Sequence, residues 1–95
     1  MTTANYYRAE PQEALVMRPL ADIVLLYHRP SGRTHMVVSP VPEILDALQR
    51  DGGGTAISIH ARLARDFDLG PPDEALAEIA AHLAELADLG LAYLK

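Results

Sequence analysis

The sequence predicts an α+β domain in which a small antiparallel sheet of three strands is followed by three helices. Two observations indicate this order. Before residue 40 the apolar residues stand in short runs rich in β-branched and aromatic side chains, and after it they recur at helical spacing. The length of 95 residues and the hydrophobic fraction of 49% fit one domain with a single modest core.

Three runs before residue 40 predict the strands. Residues 14–18 form a short strand that ends at Pro19, because proline has no N–H to donate to a ladder. Residues 22–29 hold the most pronounced strand pattern, and residues 33–39 form the strand that returns beside it. The sequence PSG at residues 30–32 predicts the hairpin between them, with its glycine in the left-handed position.

Two helices follow the strands. The first has apolar residues at helical spacing over residues 41–48 and stops at the glycines of residues 52–54. These glycines lack the lysine of a phosphate-binding loop, so they predict a flexible turn between helices. Thr55 is a suitable N-cap for the second helix. The predicted buried stripe of that helix consists of Ile59, Leu63 and Phe67.

The third helix begins at the prolines of residues 71–72, where the acids that follow meet the positive end of the helix dipole. Gly90 is the expected C-terminal cap. Residues 91–94 are predicted either as a final strand or as a packed extension. The predicted buried stripe of the third helix consists of Leu76, Ile79, Leu83 and Leu86.

The residue types that carry most enzyme chemistry are missing or scattered. There is no cysteine, which excludes disulfides, thiolate zinc sites, iron–sulfur clusters and cysteine nucleophiles. The carboxylates of the third helix are typical of the solvated face of an alanine-rich helix. The sequence therefore predicts no enzyme and no cofactor. The first residues show neither a basic nor an apolar signal segment, so a cytoplasmic location is expected.

The best candidates for a metal site are His28 and His35, which flank the predicted hairpin. If Arg29 pairs with Arg33, the two imidazoles project from opposite faces of the sheet, because side chains alternate. A two-residue loop at residues 31–32 would instead place the imidazoles opposite each other. We favour the first register, and no metal site is predicted.

The charge distribution bears on nucleic-acid binding. Residues 1–40 hold four arginines against three acids, a net charge of +1, whereas residues 41–95 hold four basic residues against ten acids, a net charge of −6. A sheet hairpin beside three helices is also the shape of a winged helix-turn-helix. The third helix, however, carries five acids and no lysine or arginine, so it would repel phosphates. Neither DNA nor a membrane surface is predicted as a partner.

The strand at residues 33–39 ends the meander and predicts an open edge to which a partner strand can be added. Beside it the third helix offers small side chains at Ala80, Ala84 and Ala87, which would let an incoming backbone approach closely. An alternative of equal weight is that these alanines belong to the core or are present because alanine favours the helical conformation. The same open edge could drive homodimerisation.

Four segments follow one another along the chain: DIVLLYHRPSGRTH at residues 22–35, SPVPEIL at residues 39–45, LARDFDL at residues 63–69 and LAELADLGL at residues 83–91. In their order and spacing these segments resemble the PqqD-like proteins. The hairpin and the proline-led start of the first helix are closest to the branch that accompanies HPr-kinase-related proteins. The resemblance covers residues 14–95 and leaves residues 1–13 as an N-terminal arm, which bears two tyrosines and is longer than the family leads us to expect.

The resemblance implies a winged-helix-like peptide chaperone, the recognition element for ribosomally made and modified peptides. Such a protein binds the leader segment of a precursor peptide as an added strand. It then presents the peptide to a modifying enzyme, such as the radical-SAM enzyme of pyrroloquinoline quinone synthesis. The alternatives are a winged-helix DNA-binding regulator and an interaction subunit without a peptide client. The peptide-binding residues implied for this chain are His35, Met36, Val37, Val38, Ile79, Ala80, Leu83, Ala84 and Leu86.

Overall fold

The structure is a computed structural model that describes residues 4–95, and the first three residues of the predicted arm lie outside the described residues. The strands and helices follow in the predicted order, with one further strand at each end. They are β1 (Tyr7–Ala9), a single 3-10 turn (Gln12–Ala14), β2 (Leu15–Leu20), β3 (Ile23–His28), β4 (Arg33–Val37), α1 (Val41–Asp51), α2 (Ala56–Ala64), α3 (Pro72–Asp88) and β5 (Ala92–Leu94). The predicted α+β class, a three-stranded antiparallel sheet followed by three helices, is confirmed.

The main sheet has the order β2-β3-β4, so β2 and β4 are its two edge strands. The prediction that the first of these strands ends at Pro19 is wrong, because β2 continues to Leu20 and Pro19 lies opposite Val24. A two-residue turn of Ala21 and Asp22 then leads into β3. Ala21 occupies the left-handed region at φ 55°, a conformation that glycine adopts at far less cost.

Both registers considered for the second hairpin are wrong. The closing pair is His28 with Arg33, and His35 lies opposite Leu26, so four residues form the turn. Gly32 adopts the predicted left-handed conformation, and its N–H donates to the carbonyl of His28. Directly opposed residues share a face, so both imidazoles project from the same face of the sheet rather than from opposite faces. The prediction of opposite faces is wrong because the turn is one residue longer than the favoured register assumed.

A second, two-stranded sheet joins the two ends of the described chain. β1 pairs antiparallel with β5, which confirms the strand that was one of two expectations for residues 91–94. On its other side Tyr7 exchanges two backbone hydrogen bonds of 2.8 Å with Gly54. The ring of Tyr6 covers Gly53, where an added Cβ would lie 2.7 Å from the ring. The predicted flexible glycine turn is therefore the site on which the N-terminal segment packs.

The helices begin and end largely where their sequences indicate. Thr55 forms the predicted N-cap of α2 as part of a capping box with Ser58. Gly90 follows α3 in the left-handed conformation, and the N–H of Leu91 returns to the carbonyl of Leu86, a Schellman ending. The prediction that Phe67 belongs to the buried stripe of α2 is wrong. The helix ends at Ala64, and Phe67 is 49% exposed.

The core lies between one face of the main sheet and the three helices. Its large side chains are fully buried and come from every layer: Leu26, Ile44, Leu45, Leu48, Ile59, Leu83, Leu86 and Leu91. Leu76, predicted in the same stripe, is only partly buried, and Ala75 takes its place in the core. No helix within residues 4–95 combines the length and the apolar character needed to cross a bilayer.

Candidate functional site

The outer edge of β4 carries backbone groups that no strand among residues 4–95 pairs. Their positions follow from two hydrogen bonds. Arg29 donates to Ala14 on the β2 side, whereas the carbonyl of His28 accepts from Gly32 on the β4 side. Because alternate residues of an antiparallel strand point their N–H and C=O to opposite sides, the even-numbered residues of β3 pair with β4. Their partners in β4 are Arg33, His35 and Val37.

The intervening residues of β4, Thr34 and Met36, therefore point their N–H and C=O groups away from the sheet. We call these two positions the β4 edge. The carbonyl of Val38, just beyond the strand, is already engaged, because it accepts a hydrogen bond of 2.9 Å from Val41. The β4 edge thus offers two donors and two acceptors, spaced as an incoming strand requires.

A groove of about 170 Å³ lies between β4 and α3. Its lining is mainly apolar, with one imidazole and one carboxylate from α3. The lining residues are Met36, Val37, Val38, Val41, His82, Glu85, Leu86 and Leu89. A strand added at the β4 edge would therefore have an apolar surface beside it, into which alternate side chains can project.

The structure brings together only some of the predicted peptide-binding residues. Four of them line the groove: Met36, Val37, Val38 and Leu86. Three others are buried in the core: Ile79, Ala80 and Leu83. Ala84 on α3 is partly buried and lies outside the groove lining, as does His35, whose side chain projects from the inner face of β4. As contacts for a peptide, all nine residues stay predictions.

Sequence reasoning missed four groove residues. His82, Glu85 and Leu89 lie on α3 and at its C-terminal end, and Val41 is the first residue of α1. The three from α3 share the spacing i, i+3 and i+7, so they occupy one ridge of the helix, next to the buried stripe. Periodicity could have found this ridge, but it could not show that the ridge faces β4 rather than solvent.

The two hairpin histidines lie on the inner face of the sheet without forming a metal site. His28 is buried, and its Nδ1 lies 2.8 Å from the hydroxyl of Ser31. Its Nε2 lies 3.7 Å from Oε2 of Glu10, close enough for an ion pair but too long for a hydrogen bond. Within residues 4–95 no three histidine, aspartate or glutamate side chains converge to hold a metal ion.

Two other clefts are larger than the groove. One of about 430 Å³ lies beside the N-terminal segment, where it is lined by Glu10, Gln49 and neighbouring polar residues. Another of about 200 Å³ lies between α1 and α2, beside Arg62 and Phe67. The first cleft is bordered by Arg8 and Ala9 of β1, a strand of three residues that already pairs with β5 and, at Tyr7, with Gly54. The second is bordered by no strand. Volume alone would select the first cleft, but strand addition needs an unpaired strand, and we therefore favour the groove.

The charges on α3 do not suit a nucleic-acid backbone. The helix exposes five acids and, as the sequence shows, carries no lysine or arginine between Pro72 and Asp88. In α2 the guanidinium of Arg62 already pairs with Asp51 at 2.5 Å. A surface of this sign repels phosphates, and it attracts basic groups instead.

Comparisons with known proteins establish the fold. No protein-family model matches the chain, and no curated protein matches it. The chain is similar to a solved structure of TbiB1 in complex with the TbiA(beta) leader peptide, with a TM-score of 0.66. The two sequences are 16% identical, and the match covers 90% of this chain and 93% of that chain. The fold of this protein is therefore an α+β, winged-helix-like fold that TbiB1 shares.

Proposed function

We propose that this protein is a non-catalytic peptide chaperone that binds the leader segment of a ribosomally made precursor peptide. Residues 14–95 form the binding domain, and residues 1–13 are its arm. The bound peptide is presented to a modifying enzyme, such as a radical-SAM protein, in pyrroloquinoline quinone synthesis or a related pathway. We propose that the protein belongs to the branch of PqqD-like proteins associated with HPr-kinase-related proteins. The protein acts in the cytoplasm without a cofactor.

One observation carries this proposal: an unpaired strand edge borders an apolar groove in a fold shared with TbiB1, a protein solved with a leader peptide bound. The leader would pair with Thr34 and Met36 through its backbone, which gives affinity with little dependence on sequence. Alternate leader side chains would lie in the groove beside Leu86 and Leu89 and give selectivity.

The acidic surface of α3 supports a leader that carries basic residues. Glu85 is the acid that lines the groove, so it stands nearest to the bound peptide. Coulombic attraction between a leader cation and this carboxylate would strengthen binding at low ionic strength. We therefore expect the affinity for the leader to fall as salt is added.

The decisive experiment is an amide-correlation NMR titration of the labelled protein with the precursor peptide encoded beside its gene. A DNA duplex serves as the control ligand. We expect shifts along residues 33–39 and along the α3 ridge, at micromolar to submillimolar peptide. Shifts with DNA and none with peptide would replace the proposal with a winged-helix regulator. No shifts with either ligand would indicate an interaction subunit whose partner is a folded protein.

Self-association at the same edge is a competing use of β4, since an unpaired strand can pair with its own copy. Sedimentation of the protein across a concentration series, with and without the peptide, separates the two. A dimer that dissociates when peptide is added would show that both compete for the β4 edge. A dimer that persists beside the bound peptide would place the dimer contact elsewhere.

A further inference from the structure

The second face of the main sheet, turned away from the helices, is unusually apolar. We call it the outer face. Its eight side chains alternate with those that face the core, and six of them are apolar, with one arginine, one threonine and no acid. They are Val16, Arg18, Leu20, Ile23, Leu25, Tyr27, Thr34 and Met36. Met36 is 73% exposed, Leu20 is 52% exposed and Tyr27 is 39% exposed.

An antiparallel sheet with one face on the core ordinarily shows polar side chains on the other. Here the outer face is apolar on all three strands, and none of the three helices covers it, because the inner side chains Leu26 and His28 are the ones buried. A contiguous apolar patch of this kind on an acidic protein marks an interaction surface.

The charge on the outer face argues against a second copy of this chain as the occupant. Arg18 lies opposite Leu25 in the sheet, and Leu25 lies opposite Met36. If two copies stacked these faces with their strands aligned, Arg18 of one copy would be buried against either Met36 or Arg18 of the other. Neither arrangement supplies an acid to pair with it. Burial of an unpaired charge is costly, so the face fits a partner whose apolar surface carries a carboxylate.

The outer face is continuous with the proposed docking edge, because Met36 belongs to both. A strand added at the β4 edge would extend the sheet by one strand, and every second leader side chain would then project from the outer face. We infer that this face, extended by the bound leader, is the docking surface for the peptide-modifying enzyme. This inference rests on the proposed function and adds to it the surface that the enzyme binds.

The test measures how tightly the purified modifying enzyme encoded beside this chain's gene binds to the protein, with and without saturating leader peptide. The variants are Leu25→Ser and Arg18→Glu. Arg18 is exposed, so its replacement puts no core contact at risk. The matched control is Ile57→Ser, where the side chain is 56% exposed and belongs to α2 rather than to the main sheet. Leader affinity is measured for every variant by NMR or calorimetry.

We expect leader peptide to strengthen enzyme binding to the unmodified protein. Both outer-face variants should weaken enzyme binding by about tenfold or more, as for residues near the centre of an interface, while leader affinity stays within about twofold. If the two outer-face variants bind the enzyme as tightly as Ile57→Ser does, the inference is overturned and the proposed function still stands. A dimer that Leu25→Ser dissociates would also overturn it. Failure of the unmodified protein to bind leader would overturn the proposed function itself, and this inference with it.

Discussion

The two edge strands of the main sheet differ in the backbone groups that they offer to a partner. In β2 the outward-pointing positions are Leu15, Met17 and Pro19, because the even-numbered residues pair with β3. Leu15 donates its N–H to the carbonyl of Gln12, and Pro19 has no N–H. In β4 the outward positions, Thr34 and Met36, keep both donor and acceptor. The outer edge of β2 therefore keeps one backbone donor, the N–H of Met17, whereas β4 keeps two, so β4 is the better template for a partner strand.

The largest effect is expected when proline replaces either of two adjacent residues of β4. Val37→Pro removes an N–H that pairs with Val24, so it leaves an acceptor of the sheet unpaired and should lower the free energy of unfolding by about 2 kcal/mol. Met36→Pro removes an outward N–H and should change stability by less than about 1 kcal/mol. Chemical denaturation monitored by circular dichroism measures both values. Equal losses at the two positions would contradict the assigned hydrogen-bond pattern.

The same proline at Met36 should weaken leader binding by up to about tenfold, because one backbone hydrogen bond to the peptide is lost. Met36→Ala is the matched control, since it removes the side chain and keeps the N–H. Calorimetric titration with the precursor peptide gives the affinities. If the alanine variant binds as weakly as the proline variant, the side chain and not the backbone edge is what the leader contacts.

A smaller effect is expected from the charge beside the β4 edge. Glu85→Gln should weaken leader binding by about threefold at low salt and should flatten the salt dependence, because an ion pair near the surface contributes less than about 1 kcal/mol. Glu78→Gln makes the same change on the same helix at an exposed position outside the groove. The two variants are compared at several salt concentrations. If leader affinity falls equally steeply with salt for both variants, the leader does not interact with Glu85.

The smallest effect on peptide binding is expected at the outer edge of β2. Pro19→Val restores an outward N–H to β2 and should leave leader affinity within about twofold. The stability change should stay within about 1 kcal/mol, because the substitution alters the freedom of the unfolded chain more than any ladder bond. The variant should self-associate more strongly at high concentration, as sedimentation will show. A large loss of leader affinity would move the docking site from β4 to β2.

The sequence was most informative where a residue type satisfies a local backbone need. Thr55 accepts a bond from an N–H that the start of α2 leaves free, and Gly90 adopts the left-handed conformation that ends α3, so both helix ends could be predicted. Pro19 misled for the opposite reason. Its effect depends on whether its nitrogen points toward a neighbouring strand or away from it, and a single strand does not show this. Ala21 gives no turn signal, because alanine rarely adopts a positive φ.

The candidate site was predictable on its strand side and less so on its helix side. The open strand could be identified from its place at the end of the meander. On α3 the spacing of apolar residues identified Ile79 and Leu83, which are buried in the core, whereas the groove is lined by the neighbouring ridge with His82 and Glu85. A helical period locates the buried stripe, but only the packing of the helix against the sheet decides which flank borders β4.

The pairing of β1 with β5 has a consequence for the order in which the chain folds. The β3–β4 hairpin closes a turn of four residues, whereas pairing Tyr7 with Leu94 closes nearly the whole chain into one loop. Loop closure costs about 0.6 kcal/mol for each doubling of length, so the longer closure is penalised by roughly 2.5 kcal/mol relative to the hairpin. The terminal sheet should therefore form after the rate-limiting barrier. Weakening it, for example at Tyr7, should accelerate unfolding and leave the refolding rate nearly unchanged.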